Sequence, residues 1–227
     1  MAGFRTHITV SGALGVVYGG AAVQPGGFDT DVAILAAGLT AAGGMLPDLD
    51  SDSGVPVREM SGLAAAVLPL LLVPRMVQTG MTREAVLASV LFGYVFIRYV
   101  VANVFRRLTV HRGMYHSIPA MLIAGLVVYL AYHSPDRSVR LLLAGGVMLG
   151  FASHLVLDEV YSVDWRGVRP KLKSSAGTAF KFGSSSLAAT ATCYAILGGL
   201  LWLAYKDSLK PVEEYPDPPA RYDRRVM

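Results

Sequence analysis

The heptapeptide His111-Arg112-Gly113-Met114-Tyr115-His116-Ser117 lies between two long apolar segments and holds two of the five histidines in the chain. Two patches of similar chemistry also lie at the ends of apolar segments, Leu46-Pro47-Asp48-Leu49-Asp50 and His154-Leu155-Val156-Leu157-Asp158. Histidine and aspartate are residue types that bind divalent metals such as zinc. We therefore predict that the hydrophobic chain brings these three patches together at one membrane face, where they hold metal.

The composition around these patches is typical of a membrane protein. Of the 227 residues, 53% are hydrophobic and 16% are charged, and the mean hydropathy is +0.48. A soluble domain carries about 25% charged residues. The pI of about 9.2 does not indicate a nucleic-acid partner, because the basic residues cluster in loops between apolar runs. The small-residue pairs Gly15-xxx-Gly19 and Gly146-xxx-Gly150 predict helix contacts.

Seven segments have transmembrane character, which predicts an all-α, polytopic membrane bundle of six or seven spanning helices. They are roughly Ile8–Val23, Val32–Leu46, Gly62–Val73, Ala85–Phe105, Ser117–Tyr132, Val139–Tyr161 and Leu187–Tyr205. A perpendicular span needs about 20 residues. The second and third segments are short and broken by glycine or proline, so we expect half-helices or buried helices there. Residues 1–205 are predicted to form one membrane-embedded domain, and residues 206–227 a polar, proline-rich, poorly ordered tail.

Charge asymmetry predicts the orientation of this bundle. When the loops are assigned to alternating sides, the N-terminal side also holds residues 47–61, 106–116 and 162–186, and carries ten lysines and arginines. The loops of the other side carry four arginines, offset by four acidic residues. An excess of basic residues marks the cytoplasmic side. All three patches, together with His7, fall on that predicted cytoplasmic face. The histidines and aspartates of the patches were not used in the count of basic residues, so their shared position is an independent result.

The spacing of the polar residues indicates how each patch is presented. His154 and Asp158 are spaced i, i+4 in a strongly helical segment, so their side chains lie on one helix face. An aspartate in an apolar helix needs a partner, and a metal ion or a histidine would serve. His111 and His116 are five residues apart, which favours a turn, with Ser117 as the N-cap of the next helix. Each patch alone has a simpler interpretation, such as a structural His–Asp hydrogen bond or a solvated acidic turn.

The shared membrane face favours a joint metal site over these separate interpretations. The predicted metal ligands are His7, Asp48, Asp50, His111, His116, His154 and Asp158. This mixture of imidazole and carboxylate groups favours one or two zinc ions, with manganese also possible. Arg112 would lie beside the metal, where a guanidinium suits a phosphate or a carboxylate. An ordinary role as a positive loop charge stays open for Arg112.

These motifs resemble the YdjM family, bacterial and archaeal inner-membrane proteins described as metal-dependent hydrolases. The resemblance is carried by the patches at 46–50 and 111–117 and by Gly150-x-x-x-His154-x-x-x-Asp158, and it covers roughly residues 1–160. The family pattern commonly has threonine where this chain has Tyr115, a change that touches no predicted ligand. The family in turn is similar to zinc-dependent phospholipase C and the P1-type nucleases, which use a His-x-x-x-Asp ligand pair. This resemblance implies phosphoester hydrolysis, with His154 and Asp158 as such a pair.

The resulting hypothesis is an inner-membrane hydrolase that cleaves a phosphoester of a lipid or lipid-linked substrate with metal-activated water at the cytoplasmic face. Its predicted catalytic residues are Asp48, Arg112 and Asp158. Membrane lipids are the expected partners, and the oligomeric state stays open. Two alternatives also stay open, a non-catalytic metal-stabilised scaffold or regulator and a divalent-ion transporter. Only Arg98 lies well within a helix, where it could snorkel toward Arg106 and Arg107, which disfavours a transporter.

Overall fold

A computed structural model describes residues 3–50, 54–103, 116–164, 171–172, 181–184 and 186–209, with side chains for all of these except 49, 50, 54–60, 163, 164, 171 and 172. The helices are α1 Phe4–Val23, α2 Thr30–Gly43, α3 Gly54–Leu71, α4 Val73–Gln78, α5 Arg83–Val95, α6 Ile118–Ala131, α7 Arg137–Val160 and α8 Leu187–Ser208. A 3₁₀ helix covers Leu46–Asp50, and a π-helix, Phe96–Val101, continues α5. A two-residue antiparallel pair joins Val163–Asp164 to Lys171–Leu172. The predicted all-α class is confirmed.

Five of the described helical segments are long and apolar enough to cross a membrane. They are Phe4–Val23, Ser61–Gln78, Arg83–Val101, Arg137–Val160 and Leu187–Ser208. The apolar helices α2 and α6 have 14 residues each and are about 21 Å long, shorter than a hydrocarbon core of about 30 Å. The short second segment and the interrupted third segment are as predicted, and the fifth segment, α6, is also shorter than a full span.

Glycines allow the central helices to approach closely. A Cβ atom at Gly15 or Gly19 of α1 would lie 2.5 Å or 2.8 Å from a carbonyl oxygen of α2. Gly146 and Gly150 of α7 also face α2, and a Cβ atom at Gly150 would overlap the carbonyl oxygen of Thr40. The two small-residue pairs therefore mark helix contacts, as predicted. The resulting close packing fixes α1 and α7 against α2, and these three helices position most of the site described below.

The bundle has two ends that differ in their polar groups. Near the start of α7, Arg140 pairs with Asp207 near the end of α8, and we call this the clasp end. Near the end of α7, Asp158 pairs with His7 at the start of α1, and we call this the site end. The last helix runs to Ser208, three residues into the segment predicted as a tail, and stops at the clasp end. Positions 210–227 lie outside the described residues.

Candidate metal centre

Five of the seven predicted metal ligands meet at the site end. They are His7, Asp48, His116, His154 and Asp158. His7 belongs to α1, Asp48 to the 3₁₀ helix, and His154 and Asp158 to α7, whereas His116 lies two residues before α6. Their donor atoms form two overlapping groups, one of His7, His154 and Asp158 and one of Asp48, His116 and His154. Within each group all donor atoms lie within 4.8 Å of one another. Four separate parts of the chain thus supply one cluster.

The remaining predicted site groups lie outside the described side chains. His111 and Arg112 fall in a part of the chain that the structure does not describe. Asp50 ends the 3₁₀ helix, but its side chain is likewise outside the described set. His133 follows the end of α6, at the opposite end of that helix from His116. It therefore lies away from the cluster, as the sequence predicts.

The Asp158 carboxylate lies between three histidines. Its Oδ1 atom is 3.3 Å from Nε2 of His7. Its Oδ2 atom is 3.6 Å from Nε2 of His154 and 3.7 Å from Nε2 of His116. Because the two oxygens face different imidazoles, this carboxylate is placed to bind one ion or to bridge two. The i, i+4 spacing on α7 produces the His154 contact, as predicted.

A backbone carbonyl fixes the tautomer of His154. The Nδ1 atom lies 2.7 Å from the carbonyl oxygen of Gly44, and a carbonyl can only accept, so Nδ1 carries the hydrogen and donates it. In the neutral imidazole, Nε2 then presents a lone pair. That atom is fully buried, makes no hydrogen bond, and lies 3.6 Å from oxygens of both Asp48 and Asp158. Metal-binding histidines usually have this arrangement, with the second nitrogen donating to a carbonyl or carboxylate.

The distances in the cluster help to separate a metal site from a hydrogen-bonded network. An N–H···O hydrogen bond spans about 2.7–3.2 Å. Four His–Asp contacts among the described residues are 3.3, 3.6, 3.6 and 3.7 Å long. Two ligand atoms that each bind a tetrahedral zinc ion at about 2.1 Å are separated by roughly 3.4 Å. The spacing therefore suits atoms that share an ion better than atoms that share a proton.

The two most buried histidines form a stack. The rings of His7 and His154 lie 3.6 Å apart at an interplanar angle of 13°. His7 is 2% exposed, and its Nδ1 atom is buried without a hydrogen-bond partner. Unsatisfied buried polar atoms are uncommon in native proteins and call for an ion or a water molecule as an explanation. The residues present thus fit a bound divalent cation, which the unsatisfied Nε2 atom of His154 would face.

His116 completes the described cluster from outside the membrane-spanning helices. Burial and then the neighbouring His154 lower the pKa of His116 to about 4. Its imidazole is therefore neutral at pH 7, which leaves a lone pair for a metal ion. The next residue, Ser117, caps α6 as predicted, because its Oγ accepts a 3.2 Å hydrogen bond from the Ala120 amide. The cap holds His116 at the start of that helix.

The role of Gly44 is not evident in the sequence. From the sequence, Gly43-Gly44 indicates only a break at the end of the second segment. In the structure, the close approach of α1 and α7 to this turn needs a residue without a side chain, because a Cβ atom at Gly44 would overlap Ser11. The same approach places the Gly44 carbonyl on His154. The glycine pair thus orients a predicted ligand as well as ending a helix.

Comparison with known families agrees with the motifs. The profile of a family described as "YdjM inner membrane protein" matches residues 1–212, so the chain belongs to that family. The match extends beyond the region that carries the sequence motifs and reaches past the end of α8. No protein of curated function and no solved structure matches the chain.

Proposed function

We propose that this inner-membrane YdjM-family protein is a metal-dependent hydrolase that cleaves a phosphoester of a lipid or lipid-linked substrate. The observation that carries the proposal is the environment of His154 Nε2. This atom is buried, has its lone pair fixed by the Gly44 carbonyl, and faces two carboxylate oxygens at 3.6 Å. A divalent cation placed among these acceptors would satisfy all of them, and such a centre is the usual machinery for metal-assisted hydrolysis.

The residues of the cluster take different roles in this proposal. His7, His116, His154 and Asp158 hold the cation, zinc or manganese, as one ion or as a bridged pair. When bound, the ion supplies an activated water and stabilises charge on the phosphate oxygens. The Asp48 side chain is 22% exposed and that of Asp158 is 7% exposed, so we assign the general base to the more accessible Asp48. Arg112 stays the predicted group for transition-state charge.

The position of the cluster along the bundle supports a lipid substrate. His154 lies six residues before the end of α7, which is about 9 Å along the helix axis. The cluster is therefore near one end of a helix that is long enough to cross the membrane, at the depth of lipid headgroups. The excess of basic residues in the loops on this side supports a cytoplasmic location for the site.

A metal-stabilised scaffold is the second candidate, and one observation favours it. The ligands come from four parts of the chain, so an ion would tie together α1, the 3₁₀ helix, the start of α6 and α7. A structural ion can contribute folding free energy in this way without catalysis. The two functions differ in whether turnover accompanies metal binding.

The test is hydrolysis by the metal-depleted, detergent-purified full chain with and without added zinc or manganese. Mixed micelles would present a phosphodiester lipid or a polyprenyl phosphate, and release of the water-soluble product would be measured. We expect hydrolysis only after metal is restored. Asp48→Asn should keep the metal and slow turnover by about a hundredfold or more, as loss of a general base does. His133→Ala is the matched control and should be unchanged.

Stoichiometric metal without hydrolysis of either lipid class would contradict the hydrolase and support the scaffold. Wild-type turnover in Asp48→Asn would contradict only the assignment of the base.

A further inference from the structure

A further segment of the chain, residues 181–184, reaches the site end without supplying a predicted metal ligand. It lies between α6 and α8, which both begin at this end of the bundle. The Ile118 amide donates a 3.1 Å hydrogen bond to the Lys181 carbonyl, and Lys181 pairs with Ser117 in a short parallel bridge. Because Ser117 directly follows His116, the bridge places Lys181 next to the chain that carries a predicted metal ligand.

The other side of this segment is held by α8. The Tyr194 hydroxyl donates a 2.9 Å hydrogen bond to the Phe182 carbonyl, and the Ser184 amide donates a 3.0 Å hydrogen bond to Oγ1 of Thr190. The segment is therefore hydrogen-bonded to both helices. These bonds hold the backbone that carries Lys181 in a fixed position beside the metal centre.

The charge of Lys181 acts at the metal centre. Burial has the largest effect in lowering the pKa of His116, His154 the next, and Lys181 lowers it as well. Since the effect of a charge falls with distance, the lysine ammonium lies close to this imidazole. The two carboxylates of the cluster, Asp48 and Asp158, would offset the charge of one divalent cation and not also that of Lys181. An anionic ligand beside the metal would offset it.

The residues that follow Lys181 favour a lipid as the source of this anion. Phe182 is 64% exposed, and Leu187, the first residue of α8, is 83% exposed. A lysine beside exposed apolar side chains at the end of a spanning helix is typical of a segment at the boundary between headgroups and acyl chains. Lysine binds phosphate as a point charge with three N–H donors.

We propose that Lys181 binds the phosphate group of the lipid substrate beside the metal ion and that Phe182 contacts its acyl chains, an assignment that rests on the proposed function. The lysine adds a charge-assisted contact to the phosphate. It therefore raises the affinity for lipids with a phosphate headgroup over neutral lipids with the same acyl chains. The role of Lys181 is to bind the substrate, whereas the histidines and aspartates bind the metal.

Calorimetric titration of the zinc-loaded full chain in detergent would test this proposal without requiring turnover. The probe is a non-hydrolysable phosphonate analogue of dioleoyl phosphatidic acid, and dioleoylglycerol is the neutral comparison. Lys181→Gln should keep its zinc and bind the phosphonate about tenfold more weakly, the effect of losing one charge-assisted contact. Lys181→Arg restores the charge and should recover most of the affinity. Lys206→Gln, near the end of α8 at the clasp end, is the matched control and should stay within about twofold.

A soluble probe separates a lipid ligand from a free anion. Methylphosphonate has no long acyl chain, so it should bind at least about tenfold more weakly than the lipid phosphonate. Wild-type affinity for the lipid phosphonate in Lys181→Gln would overturn the proposal, as would equal binding of dioleoylglycerol or of methylphosphonate to the wild type. Loss of zinc in Lys181→Gln would also overturn it, because the lysine would then support the metal. Phosphonate binding that depends on Lys181, without hydrolysis of either lipid class, would contradict the hydrolase and support the phosphate site.

Discussion

Both ends of the bundle bury charged groups, but the groups around those charges differ in kind. At the clasp end, Arg140 pairs with Asp207 at 2.6 Å, donates to the Tyr129 carbonyl at 3.1 Å and stacks over the Tyr129 ring at 4.0 Å. At the site end, the described neighbours of the Asp158 carboxylate are imidazole nitrogens such as that of His154. Among the described side chains, an arginine pairs with the aspartate at the clasp end, whereas imidazoles surround the aspartate at the site end. The clasp is thus an ion pair within the chain, and in our proposal the imidazole and carboxylate groups of the site bind a divalent cation from solution.

The largest expected effect is the loss of metal when a site carboxylate is removed. Asp158→Ala deletes the carboxylate that faces three histidines. Mutating a residue that only supports a metal ligand lowers metal affinity by about ten- to a hundredfold. Because Asp158 is itself a predicted ligand, its loss should lower the affinity by more than about a hundredfold. Membrane insertion should be unchanged. Elemental analysis of the purified variant would measure this. A normal metal content would remove Asp158 from the ligand set.

The second prediction is that a change at the clasp end lowers stability and leaves the metal content unchanged. Asp207→Ala leaves the buried Arg140 without its carboxylate, so the free energy of unfolding should fall by about 3 kcal/mol. Metal content should match the wild type, because the clasp lies at the other end of α7. Unfolding in denaturant–detergent mixtures, beside elemental analysis, would measure both quantities. Loss of metal without loss of stability would contradict the division between the two ends.

The third prediction concerns pH and the metal-free protein. His116 titrates near pH 6.5 when unfolded and near pH 4 when folded, so between these values the unfolded chain binds more protons and stability falls as the pH falls. Between pH 7 and pH 5 the loss should be about 2 kcal/mol. Thermal unfolding after chelation would show it, and His116→Gln should flatten the profile. The same slope in His116→Gln would mean that another group is responsible.

The smallest expected effect is that of His133→Ala. His133 lies beyond the end of α6, at the clasp end, so its removal should leave the metal content within experimental error. The measurement is the same elemental analysis. A loss of metal comparable to that in Asp158→Ala would show that the two ends of the bundle are wrongly assigned.

The helices and the pairing of His154 with Asp158 could be predicted because they depend on local sequence. A run of apolar residues specifies a spanning helix, and an i, i+4 spacing specifies a shared face. The alternation of the seven segments also predicted that the three patches lie together, and their described ligands do meet at one end of the bundle. The stacking of His7 on His154 and the hydrogen bond from the Gly44 carbonyl could not be predicted. They depend on how closely α1, α2 and α7 approach, which the packing of glycines on facing backbone decides.

The clasp was missed for a related reason. In the sequence, Asp207 belongs to a polar, proline-rich segment that predicts a poorly ordered tail. The helix continues to Ser208 because Arg140 and Arg137, far away in the chain, contact its last turn. Charge counting treats both arginines as loop charges and contains no information about such partners. Long-range ion pairs of this kind become visible only once the helix positions are known.

The most direct test of the account is elemental analysis of the detergent-purified wild type beside the His116→Ala, His154→Ala double variant. The geometry predicts one or two equivalents of zinc or manganese in the wild type and a loss of this metal in a double variant that still inserts and folds. A well-folded wild type that binds no metal, even after zinc and manganese are added back, would contradict the metal centre and leave the histidines as structural groups.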